Sequence, residues 1–230
     1  GVFMLIALIG GGQGLKELLQ KNFAGFATNS GIIWAQPTTK AYKGFHKGRG
    51  WCMLYKDVAR LKQQVPELDV VSPMISRWGG FAVCGDKKSQ CSVKGLRADY
   101  AKVEEPKIYY GRYINDMDIL QKRRVCVLGK KVYKDLFPKG GDPCGSFIRL
   151  DSIYYQVVGV DYNTGNMSIN GRAEESVVMP ITLMQQTYNN GDSIDLVSVT
   201  VKKGVTISSV TNRMREVIAR AHVIDPTDES

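Results

Sequence analysis

Histidine is scarce in this chain of 230 residues, which contains only His46 and His222. A Ser/His/Asp triad would need one of these two side chains beside a nucleophile, and the sequence has neither a G-x-S-x-G nor an H-E-x-x-H motif. His222 ends a predicted helix, where a cationic side chain interacts favourably with the helix dipole. We therefore predict no catalytic residues and a protein that is not an enzyme.

The five cysteines also lack the spacing of a metal site, because no C-x-x-C pair occurs among them. We predict no metal ligands. Cys126 lies in an apolar segment and is predicted to be a small core residue. Cys84 and Cys91 flank a predicted turn at residues 85–90, so a disulfide between them in an oxidising compartment is left open.

A phosphate-binding loop is missing, although an apolar run and then a glycine-rich segment, residues 10–14, open the chain. The dinucleotide motif G-x-G-x-x-G fails because Leu15 or Glu17 occupies the position of its third glycine. No Gly-Lys-Ser/Thr sequence follows, which excludes a P-loop. We therefore predict no bound cofactor.

No apolar run is long enough to cross a bilayer, which takes about 20 residues. The opening run, Val2–Ile9, is either the end of a transmembrane or stalk helix or a buried strand. We favour the helix, because Leu15, Leu18, Leu19 and Phe23 would continue it with one apolar face.

Charge of one sign is in excess, with 31 Lys and Arg against 22 Asp and Glu and a net charge of +9. Such a balance can indicate nucleic-acid binding, but the basic residues are spread along the chain. The densest cluster mixes cations with aromatic rings, a composition that could contact bases or anionic head groups. It comprises Lys40, Tyr42, Lys43, Phe45, His46, Lys47, Arg49 and Trp51. We favour a solvated loop and predict no nucleic-acid partner.

Apolar periodicity predicts mixed helices and strands at both ends of the chain. The first part is a βαβ-like unit: strand Ile32–Ala35, a helical stripe of Leu54, Val58, Leu61 and Val65, and strand Leu68–Ile75. The last part has strand Val177–Met179, helix Ile181–Tyr188, strand Leu196–Val201 and helix Thr206–His222.

The most informative stretch is Gly111–Val160. Its apolar run Val125–Leu128 predicts a strand ending at Gly129, and Lys130–Phe137 predicts a helix stopped by Pro138. Ser146–Val160 predicts two strands folded back on each other. Before them, Asp116 and Asp118 could serve acid–base chemistry, but we favour a turn or a helix cap.

This succession resembles the extracytoplasmic core domain of the MacB-like (FtsX/MacB-type) family of ABC-transporter permeases. The matching residues are Gly111-Arg112-Tyr113, Asp116, Asp118, Val125–Gly129, Leu136-Phe137, Asp142-Pro143, Gly145 and Val157–Val160. The resemblance implies an α+β fold with a split, porter-like α/β lobe and an inserted, mainly β lobe. The porter-like halves would be residues 1–77, beginning with the end of a transmembrane or stalk helix, and 174–230, and the inserted lobe 78–173.

The same resemblance implies a periplasmic domain of an inner-membrane permease that passes ATPase-driven movement to substrates or partners during export or efflux. Its partners would be a cytoplasmic ABC ATPase, a second permease, and a periplasmic adaptor or outer-membrane protein. The alternative is a substrate- or lipoprotein-binding module of a lipoprotein-release permease, which an exposed apolar groove on the β-rich lobe would favour. The cargo is not identified by these framework residues.

Overall fold

Two groups of residues, each with its own core, make up the structure. The computed structural model describes residues 3–7, 30–35, 43–44, 51–164 and 171–222. Unit 1 contains, of these, residues 3–7, 30–35, 43–44, 51–74 and 192–222, and unit 2 contains residues 75–164 and 171–191. The units therefore divide after residues 74 and 191. The porter-like and inserted lobes, with boundaries after residues 77 and 173, stay a prediction.

Strands outnumber helices in the described residues, which gives a mixed α+β fold. The strands are β1 Phe3–Ala7, β2 Ser30–Ala35, β3 Met53–Leu54, β4 Leu68–Cys84, β5 Lys87–Leu96, β6 Ile108–Gly111, β7 Val125–Gly129, β8 Phe147–Leu150, β9 Ile153–Asp161, β10 Ser176–Pro180, β11 Ser193–Ile194 and β12 Leu196–Val201. The α-helices are α1 Lys56–Gln64, α2 Asp116–Gln121, α3 Lys130–Leu136, α4 Ile181–Thr187 and α5 Ile207–Ala221. Short 3-10 helices cover Ala98–Lys102 and Ala173–Glu175.

Unit 1 is a layer of antiparallel strands with two helices. The strand order is β1-β2-β12-β4, and Val197 of β12 lies opposite Ile33 of β2 on one side and Pro73 of β4 on the other. Helix α5 packs against α1. The apolar stripe of α5 is buried, including Val210 and Met214, so its periodicity reflects a face turned to the core of the unit.

The opening apolar run corrects one prediction. Residues Phe3–Ala7 form strand β1, which pairs antiparallel with β2 from Phe3 opposite Ala35 to Ala7 opposite Gly31. The predicted stalk helix is therefore wrong for these residues, because pairing with β2 supplies backbone partners that the apolar run alone does not reveal. Its continuation, residues 15–23, lies outside the described residues. So does the predicted basic cluster, except for Lys43 and Trp51.

Unit 2 is built on a ring of six strands. Its hydrogen-bonded order is β4-β5-β10-β7-β9-β8, and β8 pairs in turn with the end of β4, where Leu150 lies opposite Ala82. Pairing is parallel between β5 and β10 and between β7 and β9, and antiparallel between β10 and β7. Strand β6 pairs with β9 beside the ring. Buried apolar side chains, such as those of Leu128, Ile148 and Val157, form the core of the unit.

The stretch that carried the family resemblance is predicted well. The strand Val125–Gly129 is confirmed, the helix begins at Lys130 as predicted and ends at Leu136, and the two strands of Ser146–Val160 are β8 and β9. Gly129 is needed where it stands, because a Cβ atom there would overlap the carbonyl oxygen of Ala173.

Other predicted elements differ at their ends. The last helix is confirmed as α5, one residue shorter at each end than Thr206–His222. Strand β4 continues to Cys84, well beyond the predicted Ile75. Leu54 lies in β3 rather than in the helical stripe, because helix α1 begins at Lys56.

Candidate interaction surface

The predicted cap at Asp118 is confirmed. Its side chain accepts a hydrogen bond from the backbone N–H of Asn115 at 3.0 Å, and the Asn115 side chain accepts one from Asp118 N at 3.0 Å. The carboxylate also lies 2.6 Å from Arg112 and 3.4 Å from Arg123. Burial raises the pKa of Asp118, but these hydrogen bonds and charges outweigh it and hold the pKa below its usual value. Asp118 thus has a structural role, while Asp116 is exposed in the first turn of α2.

The cysteines are all free thiols. The turn between β4 and β5 consists of Gly85 and Asp86 alone, which is shorter than the predicted 85–90. Cys84 therefore ends β4, while Cys91 is five residues into β5. Cys126 is buried in β7 as predicted, and burial raises the pKa of its thiol. In the described part of the chain, no three His, Cys, Asp or Glu side chains are grouped to hold a metal ion.

Unit 2 has several exposed apolar side chains. The large ones that are more than a third exposed are Trp78, Phe81, Ile108, Tyr109, Met117, Leu120, Phe147 and Tyr154. Exposed apolar groups that gather in one place indicate a contact surface, whereas scattered ones need no explanation. A concave surface that contains one of them is therefore a candidate contact surface.

One such surface is the tyrosine groove, a shallow cleft of about 430 Å³ in unit 2. Its lining is dominated by aromatic rings, and a Pro-Lys-Gly-Gly loop after α3 forms one side. The lining residues are Tyr109, Tyr110, Tyr133, Lys134, Phe137, Pro138, Gly140, Gly141 and Tyr162.

The rings of the groove form one connected cluster. Tyr109 stacks on Tyr162 with ring centroids 4.3 Å apart and planes 4° apart, and it meets Tyr110 edge-on at 4.7 Å. Tyr133 lies 5.9 Å from Tyr110 and 6.0 Å from Phe137. These separations are in the range where aromatic pairs attract. The cluster therefore orders its own rings before any ligand arrives.

Local irregularity in β6 places two neighbouring tyrosines in the same cluster. In a regular strand, Tyr109 and Tyr110 would point to opposite faces of the sheet. The β6–β9 register shifts between Ile108 and Tyr110, and such shifts re-aim side chains. Tyr109 is consequently 59% exposed while its ring still contacts Tyr110.

The far side of the groove is fixed by Tyr133 of α3. Its hydroxyl donates to the carbonyl oxygen of Gly141 at 2.5 Å, which holds the loop after the helix. Gly140 and Gly141 adopt positive φ angles of 75° and 87°, a region that suits glycine. Burial, with help from the nearby Tyr110, raises the pKa of Tyr133 to about 12.

Positive charge borders the groove. The Lys130 ammonium lies 5.1 Å from the centroid of the Tyr162 ring, a cation–π arrangement. Lys134 lines the cleft and is exposed, and no ion pair joins it to a carboxylate among the described residues. The neighbouring Lys131, by contrast, lies 3.8 Å from Glu175. The groove therefore offers apolar rings beside unneutralised lysines.

Besides the tyrosine groove, unit 2 contains a buried polar cluster that the sequence did not reveal. Lys94 is only 3% exposed and donates to the carbonyl oxygen of Gly171 at 2.7 Å. Glu104 accepts hydrogen bonds from Tyr100 at 3.1 Å and from Asn163 at 3.0 Å. Burial lowers the pKa of Lys94 and raises that of Glu104, and each charge partly offsets the shift of the other. The adjoining cavity, about 20 Å³, has room for about one water molecule.

Sequence reasoning missed both features because the contributing residues are far apart in the chain. The pair Tyr109-Tyr110 is adjacent in the sequence, but Tyr133 of α3 and Tyr162, which follows β9, join it only in the folded structure. Lys94 occupies a strand position that would ordinarily face solvent.

None of the helices in the described residues has the length and apolar character required to span a membrane.

Comparison with known proteins agrees with the fold. The family model described as "MacB-like periplasmic core domain" matches residues 1–217. Among solved structures, the periplasmic region of MacB from Actinobacillus actinomycetemcomitans superposes with a TM-score of 0.70 at 20% identity, covering 89% of each chain. The extracellular domain of the ABC-type transporter YknZ from Gram-positive bacteria gives 0.65 at 19% identity, covering 77% of this chain and 88% of that one.

Curated relatives are longer proteins of one class. The macrolide export ATP-binding/permease protein MacB of Chlorobaculum tepidum is 24% identical over 232 residues, covering 100% of this chain and 35% of that protein. The pyoverdine export ATP-binding/permease protein PvdT of Pseudomonas savastanoi pv. phaseolicola is 21% identical over 225 residues, covering 96% and 33%. The chain thus spans about a third of the length of the curated relatives it matches. With a family model matched over residues 1–217, the chain belongs to the MacB-like periplasmic core domain family.

Proposed function

We propose that the chain is the periplasmic domain of an inner-membrane ABC exporter permease and passes ATPase-driven movement to substrates or partner proteins. The observation that carries this proposal is the division of the chain. The first described strand, β1, and the last described helix, α5, both belong to unit 1, and unit 2 is inserted between them. Movement delivered through either end of the described chain would therefore reach unit 1 first.

The packing of unit 1 suits that task. The apolar face of helix α5 is buried in unit 1, and the helix packs against α1. A displacement of α5 would therefore also move the residues packed against it. Closely packed interiors transmit strain because they contain little free space. ATP would be hydrolysed by a cytoplasmic ABC ATPase, and two permeases would act as a dimer, with a periplasmic adaptor or outer-membrane protein as further partner.

The cargo of such an exporter would be a bulky molecule. The relatives are named for export of macrolides and of pyoverdine, and the same broad class is proposed here.

A second candidate function is a binding module of a lipoprotein-release permease with little mechanical role. The tyrosine groove favours it, because a shallow aromatic cleft can hold a partner without moving. The two functions differ in whether unit 2 responds to nucleotide.

The test uses the full-length permease with its ATPase in lipid nanodiscs, followed by hydrogen exchange of unit 2 with and without ATP. We expect an ATP-dependent change that is abolished by inserting four glycines after His222, while ATP hydrolysis continues. The matched control inserts the same glycines between Gly85 and Asp86, in the exposed turn after β4, and should keep the change. No response of unit 2 in the unaltered protein would favour the binding module, whereas a response that survives the insertion after His222 would show that the movement reaches unit 2 by a route other than α5.

A further inference from the structure

We propose that the tyrosine groove and the adjoining edge of β6 bind an extended acidic peptide, which adds to β6 as a further strand. The proposal concerns unit 2 alone and does not rest on the exporter function. Three observations carry it: the edge position of β6, the exposed rings beside that edge, and the lysines without carboxylate partners.

The edge position is the first. Strand β6 ends the strand order of unit 2 and pairs with β9 on one side, while no described strand pairs with its other side. The six strands of the ring have neighbours on both sides, so β6 differs from them. An edge strand presents backbone N–H and C=O groups that an extended peptide can use.

The rings beside this edge provide apolar contact. Ile108 and Tyr109 of β6 are 36% and 59% exposed, and Tyr109 is braced by its stacking on Tyr162. Bracing matters because an anchor that is already ordered loses little conformational entropy on binding. The cleft is open rather than enclosed along Tyr110, Tyr133 and Phe137, a shape that suits a peptide lying along it.

Charge selects the kind of peptide. Four lysines and two aspartates fall within residues 130–142: Lys130, Lys131, Lys134, Lys139, Asp135 and Asp142. Lys131 is paired with Glu175, and Asp135 accepts a hydrogen bond from Ser89 at 2.7 Å. Lys134 and Lys139 have no ion-pair partner among the described residues. A peptide with both apolar and acidic side chains would offer the first to the rings and the second to these lysines.

The probe is a fluorescein-labelled peptide of five Glu-Val repeats, titrated with the chain at low ionic strength and followed by fluorescence anisotropy. Low salt is chosen because exposed charges are screened over about 10 Å at 0.1 M. We expect saturable binding to the unaltered chain. Tyr109→Ala should weaken binding about ten-fold, as loss of an aromatic anchor does, whereas Tyr109→Phe should keep it.

Tyr154→Ala is the matched control, because Tyr154 is 60% exposed, in the same unit, and outside the groove. It should bind like the unaltered chain. Lys134→Glu should weaken binding, whereas Lys56→Glu, the same charge change at an exposed site in unit 1, should not.

Two further peptides test the strand geometry and the charge. Five Glu-Pro repeats carry the same charge but lack every second N–H, so they cannot complete a ladder and should bind weakly. Five Lys-Val repeats should not bind. The proposal is overturned if the Glu-Val peptide fails to bind, if the proline peptide binds equally well, or if Tyr154→Ala weakens binding as much as Tyr109→Ala.

Discussion

The Nε2 atom of His222 lies 2.7 Å from the Oδ2 atom of Asp57, although the two residues are 165 positions apart in the chain. Asp57 is in the first turn of α1 with a fully buried side chain, and His222 caps the C-terminal end of α5. The same carboxylate accepts hydrogen bonds from Leu54 N at 2.8 Å and from Arg60 at 2.6 Å. The contact links α1 to the C-terminal end of α5. It adds to the interaction of His222 with the helix dipole that the sequence predicts.

Replacing Asp57 should destabilise unit 1. Removing one partner of a buried ion pair leaves the others unsatisfied, and this costs about 3–5 kcal/mol. We expect Asp57→Ala to lower the free energy of unfolding by an amount near the lower end of that range, because His222 and Arg60 retain some solvent contact. Urea denaturation followed by circular dichroism measures the effect. Asp69→Ala, at an exposed position of β4, is the control and should change little.

The same pair predicts a dependence on acid. Burial raises the pKa of Asp57, but hydrogen bonds and charge from His222, Leu54 N and Arg60 outweigh it, so the folded-state pKa is below the ordinary 3.8. A lowered pKa contributes stability that is present above the unfolded value and is lost as pH falls through the folded value. We expect the stability difference between the unaltered chain and Asp57→Asn to shrink as pH falls below about 4. Urea denaturation at several pH values measures it, and a difference that grows on acidification would contradict the assignment.

The two acidic residues of α2 should respond differently to substitution. Asp118→Ala removes the capping interaction and leaves Arg112 without its carboxylate, so we expect a loss of about 2–3 kcal/mol. Asp116→Ala, two residues away and exposed, should change stability by less than about 0.5 kcal/mol. Equal effects of the two substitutions would argue against the cap as the source of the stability.

Close approach of backbones should make Gly129 intolerant of a side chain. A Cβ atom there meets the backbone of Ala173 and Glu174, which cannot move aside as a flexible side chain would. We expect Gly129→Ala to destabilise unit 2 by about 1–3 kcal/mol, as overpacking does. Gly80→Ala is the control, since a Cβ at Gly80 meets nothing within 4 Å. Thermal denaturation of both variants makes the comparison.

The buried charges of unit 2 should be energetically coupled. Lys94→Met removes the cation that acts on Glu104, and Glu104→Gln removes one of the two carboxylates, with that of Asp161, that act on the Lys94 ammonium. We expect each single substitution to destabilise the unit, and the double variant to lose at least about 1 kcal/mol less than the sum of the two. A double-mutant cycle by urea denaturation measures this coupling energy. Strict additivity would show that the two groups act independently.

The sequence predicted those helices and strands whose apolar periodicity and end signals lie within the element itself or beside it. The strand at Val125–Gly129 followed from its apolar run, helix α3 from its apolar face and Pro138, and helix α5 from its apolar periodicity. The run at Phe3–Ala7 was misassigned because a short apolar run is compatible with either a helix or a strand. Only its pairing with β2, which is distant in sequence, decides between them.

The tyrosine groove could not be predicted from the sequence, because its residues are farther apart in the chain than those of a single helix or strand. The tyrosine groove joins β6, α3 and Tyr162, which directly follows β9, and no spacing within the sequence indicates that Tyr109 stacks on Tyr162. The burial of Lys94 could not be predicted either, because its position in β5 does not indicate that the strand is covered on both faces. The resemblance to the permease family supplied the fold class but no information about either cluster.

The ring of unit 2 has a consequence for the order of folding. Its strand β5 pairs in parallel with β10, so that Ser92 lies opposite Ser176, and β12 enters unit 1 between β2 and β4. Contacts of such long sequence separation form slowly, since much of the chain must be brought together first. During synthesis, neither unit can complete its sheet until the residues beyond 175 and 195 have left the ribosome. The growing chain therefore carries unpaired apolar strands until those residues emerge and would be exposed to aggregation in that interval.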